Sequence, residues 1–286
     1  MKITNPTSNV KGARDTVAIG SLAEFVRLAE TVPTHGRWGQ NRVKGGWYNG
    51  RNFQDALKLA RDGDLASVKA SDEYLSKLEA LVPLTHKWQN RLDVVGGVPC
   101  VPAYLAGQPM NMRRRQRVQS EYAPLALFAD LTISGGVDID TLRKRGTAIL
   151  ALVRMLTATR PVELYVTVGI GTSGHAAYSI IRLDTAPLDL AHAAHVMTCA
   201  SFVRGLGYQA NSHLLNVHQN GTEWGGGWAY GNDDLYRRHA ASVFKAASGC
   251  SEALVIPAAH INDACITHPE KWLTEMVAKY AGAEQG

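Results

Sequence analysis

The sequence predicts an α/β fold: a mainly parallel, doubly wound sheet behind a small helical N-terminal module. Three observations predict it. From residue 122 onward, short apolar runs alternate with long amphipathic stretches, the pattern of strands separated by crossover helices. Ahead of residue 96, apolar residues recur at three- and four-residue steps, which is helical spacing. Between them, "VVGGVPCVPAYLAGQPMNMRRRQRVQSEYAP" carries four prolines and three glycines, too many for a long helix. The expected division is a helical module over 1–95, a Pro/Gly/Arg-rich connector over 96–121 and an α/β domain over 122–286.

Taken in order, "SLAEFVRLAET" puts Leu22, Phe25, Val26 and Ala29 on one face. Ser21 and Glu24 stand at capping-box spacing. "NFQDALKLARDGD" gathers Phe53, Leu57 and Ala60, with Asn52 as its cap. "SDEYLSKLEALV" reads as a third helix opening at Ser71. "LALFADLTI" is nearly all apolar, the mark of a strand covered on both faces. "DIDTLRKRGTAILALVRMLTA" repeats Ile139, Leu142, Gly146, Ile149, Val153 and Leu156 along one stripe, with Asp138 or Asp140 at its head. "VELYVTVGI" and "HAAYSIIRLD" are strands joined by a short turn, expected as an antiparallel edge hairpin. "DLAHAAHVMTCASFVRGLG" reads as a helix ending at Gly205 or Gly207. The helix of "NDDLYRRHAASVFKAASG", the strand "EALVIPAA" and the helix "HPEKWLTEMVAKYA" complete the chain.

At 45% hydrophobic and 19% charged residues over 286 positions, the chain is neither disordered nor membrane-embedded. No apolar run approaches the roughly 18–20 residues of a membrane span. The opening "MKITNPTSNVKGARDT" lacks the apolar core of a signal peptide. The expected location is a cytoplasm, with no membrane partner. Cys100, Cys199, Cys250 and Cys265 show no CxxC or other zinc spacing and are expected as free thiols.

Three constellations carry chemistry. The first is Asp130, Thr132 and Ser134, three small oxygen-bearing side chains at alternate positions at a strand end. Mg²⁺ and Mn²⁺ take such hard donors, while helix capping would use the same oxygens. The second is Arg113, Arg114, Arg115 and Arg117 within nine residues of a chain of net charge +5. It reads as a solvated basic strip or as a phosphate-contacting one. The third is the loop "EWGGGWAYGNDD", where Trp224, Trp228 and Tyr230 sit among glycines and suit a partner surface or base stacking. "GIGTSG" formally matches a dinucleotide fingerprint, but a strand follows it instead of a helix, so it reads as a hairpin turn. His192 and His195 lie three apart, followed by His213 and His218, and a separate group is His260, Asp263 and His268. These read as core or capping histidines ahead of a zinc site.

The "DLTIS" strand end, the long helix after it, the strand, the hairpin and the later "QNGTEWGGG" loop together resemble the von Willebrand factor A-type domain and its metal-ion-dependent adhesion site. Threonine replaces the first serine of that motif. The resemblance implies Mg²⁺ or Mn²⁺ on Asp130, Thr132, Ser134 and Thr222, with Asp263 in the place of a last aspartate. Asp263 arrives several residues after its strand, and His260 stands nearer the tip. It also implies a sheet edge that engages a protein partner. "WGQNRVKGGWYNGRNFQDALKLARDGD" and "VPAYLAGQPMNM" resemble segments of uncharacterised tailed-bacteriophage proteins, which would make the compartment a host cytoplasm. The leading expectation is a binding or adaptor protein that is not an enzyme. The alternative is a single-stranded nucleic-acid-binding protein using the arginine strip and the aromatic loop. A metal-dependent hydrolase around His260, Asp263 and His268 is the third.

Overall fold

The computed structural model describes residues 1–5, 14–33, 51–81, 88–117, 124–133, 137–172, 175–214, 233–250, 253–259 and 262–280. Among them, β1 (Lys2–Thr4), β2 (Arg14–Ser21), β6 (Leu125–Asp130), β7 (Val162–Thr172), β8 (His175–Leu183) and β9 (Ala253–Ile256) form one six-stranded sheet. Its order is β1-β2-β8-β7-β6-β9. The β6–β7, β6–β9 and β2–β8 pairs are parallel, and β7–β8 and β1–β2 are antiparallel. The mixed α/β class and the mostly parallel sheet match expectation.

Every residue of β6 is buried, because both faces of the sheet are covered. Leu127 and Ala129 join a large cluster with Phe25, Phe53, Leu78, Ile149 and Phe202. Ala126 and Phe128 face the other way, with Tyr165, Tyr178 and Phe244. There Phe128 stacks on Tyr165 at 4.7 Å, and Tyr178 meets Phe244 edge-on at 5.6 Å. Helices α1 (Leu22–Glu30), α2 (Phe53–Asp62), α3 (Leu65–Leu81), α5 (Ile139–Thr157), α6 (Leu190–Thr198) and α10 (Pro269–Tyr280) supply the first side. Helix α8 (Asp233–Ser248) supplies the second.

The expected caps hold at α1, α2 and α5. Ser21 and Glu24 form a reciprocal capping box, as do Asn52 and Asp55. Asp138 accepts the Thr141 amide at 2.8 Å and the Thr141 hydroxyl at 2.6 Å. Asp138→Ala removes both bonds from a well-formed helix start and is expected to cost about 1 kcal/mol, read as a drop in urea midpoint with no change in m.

Four expectations are corrected. Residues 1–95 do not form a helical module apart from the sheet. β2 pairs in parallel with β8 along Arg14–Ser21, and buried His239 of α8 bonds Asp15 of β2 at 2.8 Å. The β7–β8 hairpin is therefore interior, with β2 covering the edge it was expected to expose. The third helix starts at Leu65, and Ser71 lies buried in mid-helix. Asp64 closes its first turn instead, accepting the Ser67 amide at 3.0 Å. Finally, α6 stops at Thr198, because Cys199 is extended (φ −101°, ψ 121°). The chain then makes a π-helical turn over Ser201–Gly207 and continues as α7 (Tyr208–Leu214).

The expected connector is itself folded. β3 (Trp88–Asp93), β4 (Val98–Pro99) and β5 (Met112–Arg117) form a three-stranded antiparallel sheet in the order β3-β5-β4, and the short α4 (Val101–Leu105) joins β4 to β5. A Cβ on Gly96 would lie 2.5 Å from the Arg113 carbonyl oxygen, so the turn into β4 requires glycine. We call residues 88–117 the arm.

Candidate functional site

The carboxyl end of β6 brings Asp130 and Thr132 together. Both are buried, and their oxygens are used internally. Asp130 Oδ1 accepts the Thr132 amide at 2.9 Å, and Thr132 Oγ1 accepts the Gly169 amide at 2.8 Å. Burial pushes the Asp130 carboxyl up to about 6, against the opposing pull of Thr132 and of Arg145. Arg145, on α5, donates to the carbonyls of Asp130 and Pro257, both at 2.9 Å, and so ties the strand ends together. Asp263 forms a 2.7 Å ion pair with Arg237 of α8. Ser134, Thr222, Trp224, Trp228, Tyr230, His218 and His260 lie outside the described residues. His268 is exposed at the end of the short helix α9 (Ala264–Thr267).

A second polar centre was not expected as a unit. Asp64, His195 and Cys199 are buried, and one potential ligand atom from each lies within 4.8 Å of the others. Asp64 comes from the α2–α3 junction, His195 from α6, and Cys199 from the break after α6. Asp64 Oδ2 accepts from the Ser67 hydroxyl at 2.6 Å and from Arg51 Nη1 at 2.6 Å. The Ser67 hydroxyl also lies 2.9 Å from Cys199 Sγ, and Arg51 Nη1 lies 3.5 Å from that sulfur. His195 Nδ1 faces Asp64 Oδ2 at 3.4 Å, and its Nε2 faces the Ala56 carbonyl at 3.1 Å.

The charges of this centre follow from their surroundings. Burial alone would raise the Asp64 carboxyl, but the Ser67 and Arg51 hydrogen bonds outweigh it and hold it well below the usual carboxylate range. Burial pushes His195 down to about 4, outweighing the attraction of Asp64. Burial pushes the Cys199 thiol up, against Ser67 and Arg51. At neutral pH the group is a carboxylate and a guanidinium with a neutral imidazole and a thiol. This group could hold a metal ion. Its imidazole and thiol are not the all-oxygen set that Mg²⁺ or Mn²⁺ would take. His195 and Cys199 stand four residues apart, a pairing the expectations above did not draw, and Asp64, 131 residues before His195, has no sequence cue linking it to them.

The third feature is the surface of the arm. Leu92, Val94, Val95, Val98, Val101, Tyr104, Leu105 and Met110 are all exposed, up to 78% for Leu105. Among the described residues, only Ile3, Leu65 and Leu81 are exposed large hydrophobics elsewhere. Arg91, Arg113 and Arg114 are exposed beside them, with Leu92 opposite Arg113 and Arg91 opposite Arg114 in the strand register. The side chains of Arg115 and Arg117 lie outside the described residues, although both occupy β5. Residues 88–117 hold five arginines and one aspartate, with no lysine or glutamate. They therefore carry +4 of the chain's net +5.

A cleft of about 590 Å³ lies between α1, α2 and α6, lined in part by Arg27, Arg61, Arg182, Asp189 and His192. Several of its charges are already paired: His192 with Asp189 at 2.7 Å and Arg61 with Asp62 at 2.9 Å. All four cysteines are free, and no helix among the described residues is long and apolar enough to cross a membrane.

A family model described as a domain of unknown function, DUF7192, matches residues 8–280. No curated protein and no solved structure matches the chain.

Proposed function

The chain belongs to the DUF7192 family, and from its own surface we propose that it is a binding protein that docks an acidic protein partner through the arm. The observation that carries this reading is the eight exposed large hydrophobics gathered on 30 residues that also hold most of the net charge. Exposed large hydrophobics concentrated on so short a segment mark an interaction site, and the arginines of the same strands select a partner of opposite sign. Seven of the eight are aliphatic, and Tyr104 is the only aromatic among them. Aliphatic side chains bury well in a protein partner but offer no ring face for base stacking, so a protein is favoured over single-stranded nucleic acid.

A von Willebrand factor A-like arrangement of residues 122–286 is a fold proposal. It is supported by the succession β6, long α5, β7 and antiparallel β8, and by the position of Asp130 and Thr132 at the end of β6. The docking point is assigned to the arm because Asp130 and Thr132 spend their oxygens inside the fold.

The test uses two probes on the full chain: a synthetic peptide of alternating acidic and aliphatic residues, and an oligo(dT) strand. The peptide is expected to bind the wild type. Leu105→Asp should weaken it at least tenfold, and Arg113→Glu with Arg114→Glu should do the same. Peptide binding untouched by these substitutions overturns the reading. So does oligo(dT) binding that is tighter, steeply salt-dependent and indifferent to Leu105→Asp.

A further inference from the structure

We infer that Asp64, His195 and Cys199 form a site for a zinc-type divalent cation, with Arg51 standing in for that cation when it is absent. Nothing in this depends on the arm.

Two independent geometric observations converge. The first is spacing. Around a tetrahedral zinc with bonds of about 2.0–2.3 Å, a nitrogen and an oxygen ligand stand about 3.3 Å apart, and a sulfur and an oxygen about 3.6 Å apart. Here His195 Nδ1 and Asp64 Oδ2 are 3.4 Å apart, and Cys199 Sγ and Asp64 Oδ2 are 3.8 Å apart. Both distances from Asp64 are therefore close to those an ion would set, the three donors lie within 4.8 Å of one another, and a fourth position is left for water.

The second is the direction of the imidazole. His195 Nε2 faces a backbone carbonyl, that of Ala56. A carbonyl only accepts, so Nε2 carries the hydrogen. That leaves Nδ1, fully buried, as the ring nitrogen that faces the Asp64 carboxylate. Metal-ligating histidines commonly donate the distal N–H to a backbone carbonyl in just this way. The thiol and imidazole select zinc over magnesium or calcium.

Arg51 explains how the chain tolerates the metal-free form. Its guanidinium sits against Asp64 and Cys199, and its side chain is 24% exposed, so it can turn toward solvent when an ion takes its place. Binding deprotonates Cys199: one Zn²⁺ enters, the Zn–S bond forms, and one proton leaves to the buffer.

Cobalt(II) reports the site because thiolate coordination gives a charge-transfer band in the near ultraviolet. The metal-stripped full chain is titrated with Co²⁺, then with Zn²⁺. The expected result is one equivalent bound with that band, displaced by Zn²⁺. Cys199→Ser, which keeps the size and a hydrogen-bonding atom, abolishes the band, while Cys265→Ser retains it. Arg51→Gln removes the competing charge and tightens Co²⁺ binding by about tenfold or more. Zn²⁺ raises the melting temperature of the wild type and leaves that of Cys199→Ser unchanged. A wild type with no band, a band that survives Cys199→Ser, or weaker binding in Arg51→Gln overturns the inference.

Discussion

Asp64→Ala, measured in the presence of a chelator, is expected to lower stability by about 3 kcal/mol, the lower end of the range for breaking a buried ion pair. Three losses coincide. The Ser67 amide at the head of α3 loses its acceptor, the Ser67 hydroxyl loses one of its two partners, and Arg51 loses its counter-charge. The value sits at the lower end because Arg51 is 24% exposed and recovers some hydration. Asp64→Asn keeps an acceptor for the Ser67 amide but removes the charge, so it should cost less. A cycle of Asp64→Asn, Arg51→Gln and the double variant separates the two contributions. Urea unfolding supplies the numbers. If Asp64→Ala costs under 1 kcal/mol, the network is not what holds the α2–α3 junction against α6.

This junction also marks where the sequence stops being legible. Helices α1, α2 and α5 announced themselves through caps lying within four residues of one another, and β6 through an unbroken apolar run. Such signals are local, and residues a few positions apart read them reliably. β1 and β2 gave no comparable signal. "KIT" is three residues long, and in "RDTVAIGS" only Val17 and Ala18 are fully buried hydrophobics. Pairing with a partner some 160 residues away in sequence makes that segment a strand. The arm was misread as a connector for a related reason. Its prolines and glycines do break helices, but they also serve the turns of a small antiparallel sheet. The site followed the same rule. Asp130 and Thr132 were found at a strand end as read, whereas the Asp64–His195–Cys199 group needs the α2–α3 junction brought onto α6, and that approach depends on how closely α5 lets α6 come.

That approach rests on one residue. Gly146→Ala is expected to destabilise the protein by about 3 kcal/mol, even though alanine is the better helix former by about 1 kcal/mol. A Cβ at position 146 would lie 1.9 Å from the Met197 carbonyl oxygen and 2.6 Å from its carbon. These are backbone atoms of α6, so no rotamer change relieves the clash, and the two helices must separate by more than 1 Å. Overpacking of this kind typically costs 1–3 kcal/mol or more. The upper end applies because the stretches around the contact, Arg145–Val153 of α5 and Ala193–Thr198 of α6, are buried throughout. For a chain of this size the loss corresponds to about 5–10 °C in melting temperature. Gly97→Ala supplies the contrast. A Cβ there meets nothing within 4 Å, so the change should stay within about 0.5 kcal/mol. Because Met197 lies between His195 and Cys199 on the same segment, separating α5 from α6 also displaces two of the three proposed ligands. Gly146→Ala should therefore weaken Co²⁺ binding under conditions where the chain remains folded. A variant that melts like the wild type would mean that α6 can slide freely along α5, and that the spacing of His195 and Cys199 is set by something other than this helix contact.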